Sequence, residues 1–248
     1  MECLLNILAG MIITETTPIG DIAAALPSSV RVFERYNIDF CCGGQRPLGE
    51  ACRARGLAFD EVADAIATAA AAPALGDRDW TSAPLAALID HIVAAYHRPL
   101  REELPRLEAM AAKVSSVHGE NAPHLGRVEE IVRDLAAELT AHMGKEELVL
   151  FPAVRAIEDG EALAPMWITA PIAVMEHEHD HAGALLAELR RLTGGYLPPD
   201  WACQTFRAFY RGLEELETAM HVHVHLENNV LFPRAVERAQ TLAVAQLR

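Results

Sequence analysis

From about residue 85 to residue 238, apolar side chains recur at steps of three and four, the spacing of helices that each bury one face. Four such stretches, about 85–115, 126–158, 170–193 and 200–238, are separated by breaks containing Gly and Pro. Helices of that length and number predict a four-helix bundle. Pro99 and Pro105 fall inside the first stretch, where each removes a hydrogen bond and crowds the preceding turn, so a kink or local break is expected there. Ahead of the bundle the pattern is finer. Short amphipathic segments over 19–26 (ending at Pro27), 29–36 (with Ser28 as N-cap), 48–55 (ending at Gly56) and 61–70 (behind Asp60) predict a small helical domain over 13–72. Residues 73–84, rich in Ala, Pro, Gly and Asp, read as a linker, and the bundle is expected over 85–238. The fold class is all-α.

Composition narrows the function classes. A chain of 248 residues, half of them apolar, 6% aromatic and 23% charged, fits a helix-rich globule of one large or two small domains. Its 35 Asp and Glu outnumber 21 Lys and Arg, and the net charge of −14 repels a phosphate backbone. Neither nucleic acid nor an anionic membrane is therefore an expected partner. Five Cys without the regular spacing of a stapled scaffold indicate a reducing compartment, and a cytoplasmic location follows. The apolar run near the N-terminus follows Glu2 and no basic residue, so it is not read as a signal peptide, and it is too short to span a bilayer. Met11 offers an alternative start, and residues 1–12 are expected to be a loose tail or foreign to the native chain.

The chemistry lies in a repeat. His142, Glu146 and Leu150-Phe151-Pro152 recur 81 residues later as His223, Glu227 and Leu231-Phe232-Pro233. A His and a Glu at i and i+4 lie about 40° apart around a helix, so both can approach one metal ion. His97 precedes His142 by 45 residues and His179 precedes His223 by 44, so each half of the bundle offers one His from one helix and HxxxE from the next. Helix phase selects these among eleven histidines. Leu213, Leu216, Met220, His223, Glu227 and Val230 form an inward stripe, with His221, His225 and Asn229 on the polar face. Ile131, Leu135, Leu139, His142, Glu146 and Val149 form another, leaving Glu147 outside it. Ile172, Met175, His179, Ala182 and Leu186 turn His177 and His181 away, and Val93, His97, Leu100 and Leu104 place His97.

Carboxylates in an apolar core need partners, since burying them bare costs several kcal/mol each. Two cations bridged by Glu146 and Glu227, with two imidazoles on each, meet that need and leave positions for a solvent-derived bridge and a diatomic ligand. Imidazole with carboxylate suits iron, although zinc and manganese match the same donors. The rival reading, a hydrogen-bonded structural histidine, suits a single core His better than a twofold repeat.

His177-Glu178-His179-Asp180-His181 also matches HExxH, a zinc-peptidase signature with Glu178 as base. That pattern leaves the repeat unexplained. The paired Cys41-Cys42 before Gly43-Gly44 allows two readings, buried structural thiols or a thiolate exposed by a turn with its pKa lowered. Cys3, Cys52 and Cys203 show no such setting, and the repeated Leu-Phe-Pro reads as packing and helix termination.

A Cys41-Cys42-Gly43-Gly44 turn in a small helical domain, followed by HMxKEExxLFP from His142 and HxxLENNVLFP from His223, resembles the repair-of-iron-centres (RIC) family over about residues 17–236. The resemblance implies a hemerythrin-like domain holding two non-haem iron ions, oxo- or hydroxo-bridged, on His97, His142, Glu146, His179, His223 and Glu227. It implies repair of iron-sulfur clusters damaged by nitric oxide or oxidants, with NO binding or reduction and iron donation as its chemistry. Damaged iron-sulfur proteins and NO or O₂ are then the expected partners, a homodimer stays open, and Cys41 and Cys42 are given a redox or NO-related role. A non-catalytic NO or O₂ buffer or sensor is the alternative.

Overall fold

The computed structural model describes residues 6–8, 11–71 and 79–246, so Cys3 and half of the expected linker lie outside the described residues. The chain divides into two compact units, Met1–Leu88 with His221–Ala235 and Ile89–Met220 with Val236–Arg248.

Among the described residues, the first unit begins with two short paired strands in the stretch for which a loose tail is one expectation. Strand β1 (Asn6–Leu8) pairs antiparallel with β2 (Met11–Ile13), Ile7 opposite Ile12. Alternation explains how the second strand is held: Ile12 is exposed and Ile13 is buried in the unit's core. Helices α1 (Ile19–Ala25), α2 (Val30–Arg35), α3 (Leu48–Arg55) and α4 (Phe59–Ala71) follow. Ile22, Phe33, Phe40, Leu48, Val62 and Ile66 form their shared core. Gly56 ends α3 at φ +68°, a left-handed position suited to Gly. The expected caps differ. Ser28 lies in a 3₁₀ turn, Pro27–Ser29, and α2 begins with no side-chain cap. Asp60 sits within the first turn of α4, where its charge favours the helix N-terminus.

Between α2 and α3, the Asp39 carboxylate accepts the backbone N–H groups of Cys41 (3.1 Å), Cys42 (3.1 Å) and Gly43 (2.9 Å), which folds the thiol pair into a tight turn. Segment His221–Ala235 belongs to this unit. Asn229 Nδ2 donates to the carbonyls of Phe40 (3.1 Å) and Cys41 (3.2 Å), and its Oδ1 lies where a Cβ on Gly20 or Gly44 would be 2.3 Å away. Only glycines admit that side chain.

The second unit contains the long helices. After α5 (Leu85–Ile92) come α6 (Arg98–His118), α7 (His124–Lys145), α8 (Phe151–Glu158) and α9 (Met166–Leu192). Helices α10 (Gln204–Leu226) and α11 (Phe232–Gln246) belong to this unit up to Met220 and from Val236, respectively, and complete the helix order of an all-α chain. Leu104, Leu107, Val128, Ile131, Leu135, Ile172, Leu186, Phe206, Phe209 and Leu213 fill the unit's interior at the helical spacing expected from sequence. No helix among the described residues is long and apolar enough to cross a membrane.

Three π-helical turns interrupt these rods: Val93–His97, Glu146–Leu150 and Glu227–Leu231. Each closes with an i→i−5 bond, from the N–H of Arg98 to Val93, of Phe151 to Glu146 and of Phe232 to Glu227. The next residue each time is proline: Pro99, Pro152 and Pro233. Two expectations change accordingly. Pro99 does not break its helix, because the widened turn before it takes up the proline's missing bond and its crowding. Leu-Phe-Pro does not terminate helices either, since α8 and α11 continue through it. The extra residue also shifts helical phase, so Val149, expected inside, is exposed, while Leu150 and Phe151 are buried.

Candidate metal centre

All six side chains picked out by phase are buried: His97, His142, Glu146, His179, His223 and Glu227. In the second unit, three of them, His97, His142 and His179, gather around a fourth, Glu146. Its Oε2 lies 3.4 Å from His97 Nε2 and 3.4 Å from His142 Nε2, and His179 Nε2 lies 3.1 Å from His142 Nε2. The candidate donor atoms of His142, Glu146 and His179 all fall within 4.8 Å of one another. In segment His221–Ala235, His223 Nε2 lies 3.0 Å from Glu227 Oε1. Two ligands bound to one ion at ~2.1 Å each, at 90–110°, lie roughly 3.0–3.4 Å apart, so these separations suit metal coordination.

Glu146 is the most telling group. It has no solvent exposure, and neither carboxylate oxygen accepts a hydrogen bond from any described residue. A bare buried carboxylate is strongly unfavourable unless a cation faces it. The donor set, imidazole nitrogen around carboxylate oxygen, fits iron.

Glu147, outside the inward stripe, and Glu178, the base of the peptidase pattern, orient the rings. Glu147 Oε1 bonds His97 Nδ1 at 2.7 Å, and Glu178 Oε2 bonds His142 Nδ1 at 2.9 Å. Each holds the proton on Nδ1 and leaves Nε2 as the donor atom toward Glu146, the usual second tie of a metal-binding histidine. Burial alone pushes both carboxyls up, but hydrogen bonds from His97 and Arg101 to Glu147, and from Lys145 and His142 to Glu178, outweigh it and hold both below the usual carboxylate range. Glu147 adjoins Glu146 in sequence, and Glu178 adjoins His179. That adjacency is the one sequence signal that could have found them.

The peptidase pattern is not assembled. His177 and His181 are exposed, and Glu178, its would-be base, is engaged by His142 and Lys145.

Of the two readings of the thiol pair, Cys41 follows the buried one, and Cys42 is partly exposed. Cys41 is buried, its Sγ 3.3 Å from Asp39 Oδ1 and 3.9 Å from Cys42 Sγ. The Cys42 thiol, burial and the Asp39 charge push its pKa well up, opposite to an activated thiolate. Exposed Cys203 instead sits just ahead of α10, 3.3 Å from His118 Nε2. Hydrogen bonds from the Phe206 backbone and from His118 lower it to about 7.

His221 and His225 were assigned to a polar face. His225 is buried, and the Phe40 ring stands edge-on to both, 6.1 Å from His221 and 5.6 Å from His225. Phe40, in the same unit but far away in sequence, covers them, and no helix-by-helix pattern reports such a cover.

A helical fold whose inward faces set imidazoles around a bare carboxylate defines a cation-binding bundle. The family model of the hemerythrin HHE cation-binding domain matches residues 88–235, and that of ScdA_N, a domain of unknown function, matches residues 15–70. The chain is 42% identical over 220 residues to the iron-sulfur cluster repair protein YtfE of Pectobacterium atrosepticum, covering 88% of this chain and 96% of that one. It is 40% identical over 219 residues to the protein of the same name from Escherichia coli, covering 88% and 96%. The chain belongs to this family of hemerythrin-domain proteins, the repair-of-iron-centres family.

Proposed function

We propose that the chain is a di-iron protein that repairs iron-sulfur clusters damaged by nitrosative or oxidative stress, as the name of its relatives states for them. His97, His142, Glu146, His179, His223 and Glu227 are assigned as the residues that would hold the two irons, as the resemblance to the family implies. The observation that carries the assignment is the buried carboxylate of Glu146, which accepts no hydrogen bond and faces imidazoles whose outer nitrogens are tied to Glu147 and Glu178. Bound there, iron supplies redox chemistry and an open position for a diatomic such as NO or O₂. The residues of the chain fix ring tautomers, exclude water and balance charge. Residues 13–72 are assigned to the small helical domain and 85–238 to the bundle, with damaged iron-sulfur proteins as partners in the cytoplasm.

Metal analysis of protein purified without oxygen tests this reading. Two irons per chain are expected, lost in Glu146→Gln or Glu227→Gln. A folded, metal-free wild-type protein overturns it. Under anaerobic NO, N₂O formed at more than one per centre marks turnover, and a stable nitrosyl adduct marks a buffer or sensor instead.

A further inference from the structure

The HExxH segment has no peptidase geometry, yet two of its histidines are left beside a cleft. Between α7 and α9 lies a cleft of about 420 Å³, lined by Glu138, Lys145, His177, His181 and, at its inner wall, His142 and His179. His177 and His181 stand at i and i+4 on α9, the spacing at which two imidazoles on one helix face grip a divalent transition metal. Glu138 Oε2 bonds His181 Nδ1 at 2.8 Å, the same carboxylate tie that Glu147 and Glu178 make to His97 and His142. That bond leaves His181 Nε2 as its donor atom. Lys145, the cation in the wall, is paired with Glu178, so its charge does not stand alone against an incoming ion. The chain's charge of −14 favours the approach of cations in general.

We propose that His177 and His181, with Glu138 orienting the second ring, form a docking site for a free divalent transition-metal ion, and that the cleft passes this ion to and from His142 and His179. The site is separate from the two core positions and handles iron as cargo. The transfer part of the proposal rests on the di-iron reading above; the docking part does not.

Two measurements on the full chain separate them. First, the iron-loaded protein is titrated calorimetrically with Co²⁺. Wild type is expected to take one further Co²⁺ per chain, and the double variant His177→Ala/His181→Ala to lose it, with Glu138→Gln weakened in between. Second, metal-free protein is mixed anaerobically with Fe²⁺ and uptake is followed with time. The double variant is expected to load at least about tenfold more slowly but to reach the same final iron content, as a site acting on approach rather than on stability predicts. Both histidines are exposed, so an unchanged thermal unfolding curve verifies the fold. Unaltered Co²⁺ uptake by the double variant overturns the docking site, and wild-type loading kinetics overturn the transfer. If wild type holds no core iron but still binds Co²⁺ through His177 and His181, the di-iron reading falls and the docking site stands.

Discussion

Two segments share the pattern HxHxH, His177-His179-His181 on α9 and His221-His223-His225 on α10, and the fold treats them in opposite ways. In both, the central imidazole is buried. On α9 the flanking pair is exposed, with Glu178 and Asp180 between them. On α10 the intervening residues are Val222 and Val224, His225 is buried, and Phe40 lies edge-on to His221 and His225. The difference teaches that a histidine's place in helix phase settles only its relation to its own bundle. The residues interleaved with it report whether another part of the chain lies on top: acids mark an open face and valines a covered one.

The comparison breaks most sharply at the cover. Phe40→Ala removes a fully buried ring that touches Phe33, His221 and His225, and is expected to cost about 3–5 kcal/mol in chemical denaturation. It should also make His225 reactive to diethylpyrocarbonate, as exposed His181 is expected to be in the wild type. Somewhat smaller is a pH effect. Burial lowers His225 to about 4 from 6.5, with hydrogen bonds to the Phe40 and Ala23 backbone opposing only part of the shift. The folded-state pKa lies below the unfolded one, so the stability from keeping this ring neutral is complete above pH 6.5 and is lost as pH falls toward 4. The stability difference between metal-free wild type and His225→Gln should therefore narrow by about 3 kcal/mol over that window.

Gly44→Ala comes next, because its Cβ meets Asn229 Oδ1 in a notch where the same side chain is held by two carbonyls; about 1–3 kcal/mol of destabilisation is expected. At the other pole, His177→Ala and His181→Ala should each stay within about 0.5 kcal/mol of wild type by the same denaturation measurement. A loss as large as that of Phe40→Ala would erase the distinction between the two segments.

Much of the molecule was legible because helix period carries so much of it. The inward stripes pointed to all six buried groups of the candidate centre, and Gly56 marked the end of α3. What escaped the pattern lay outside a single helix's phase. Val149 was misplaced because the turn beginning at Glu146 adds a residue to the helical register. Glu147 and Glu178 sit off the stripe, yet their side chains reach around to the outer ring nitrogens. His225 depends on a domain folded from residues far away in sequence. The Cys203 pKa is lowered by the Phe206 backbone and by His118, and the second partner, 85 positions earlier, is a pairing that only the fold creates.

The three wide turns have one more consequence. A π turn in a long helix resembles a dislocation in a crystal: everything beyond it is displaced by one lattice step, and an unpinned defect can migrate. Proline pins it. Pro99, Pro152 and Pro233 bring no N–H to the ladder, so the surplus residue is accommodated most cheaply just ahead of each one. The pinned defects begin at Glu146 and Glu227 and end at His97, so the phase at which these three groups face inward is locked by residues that never touch them.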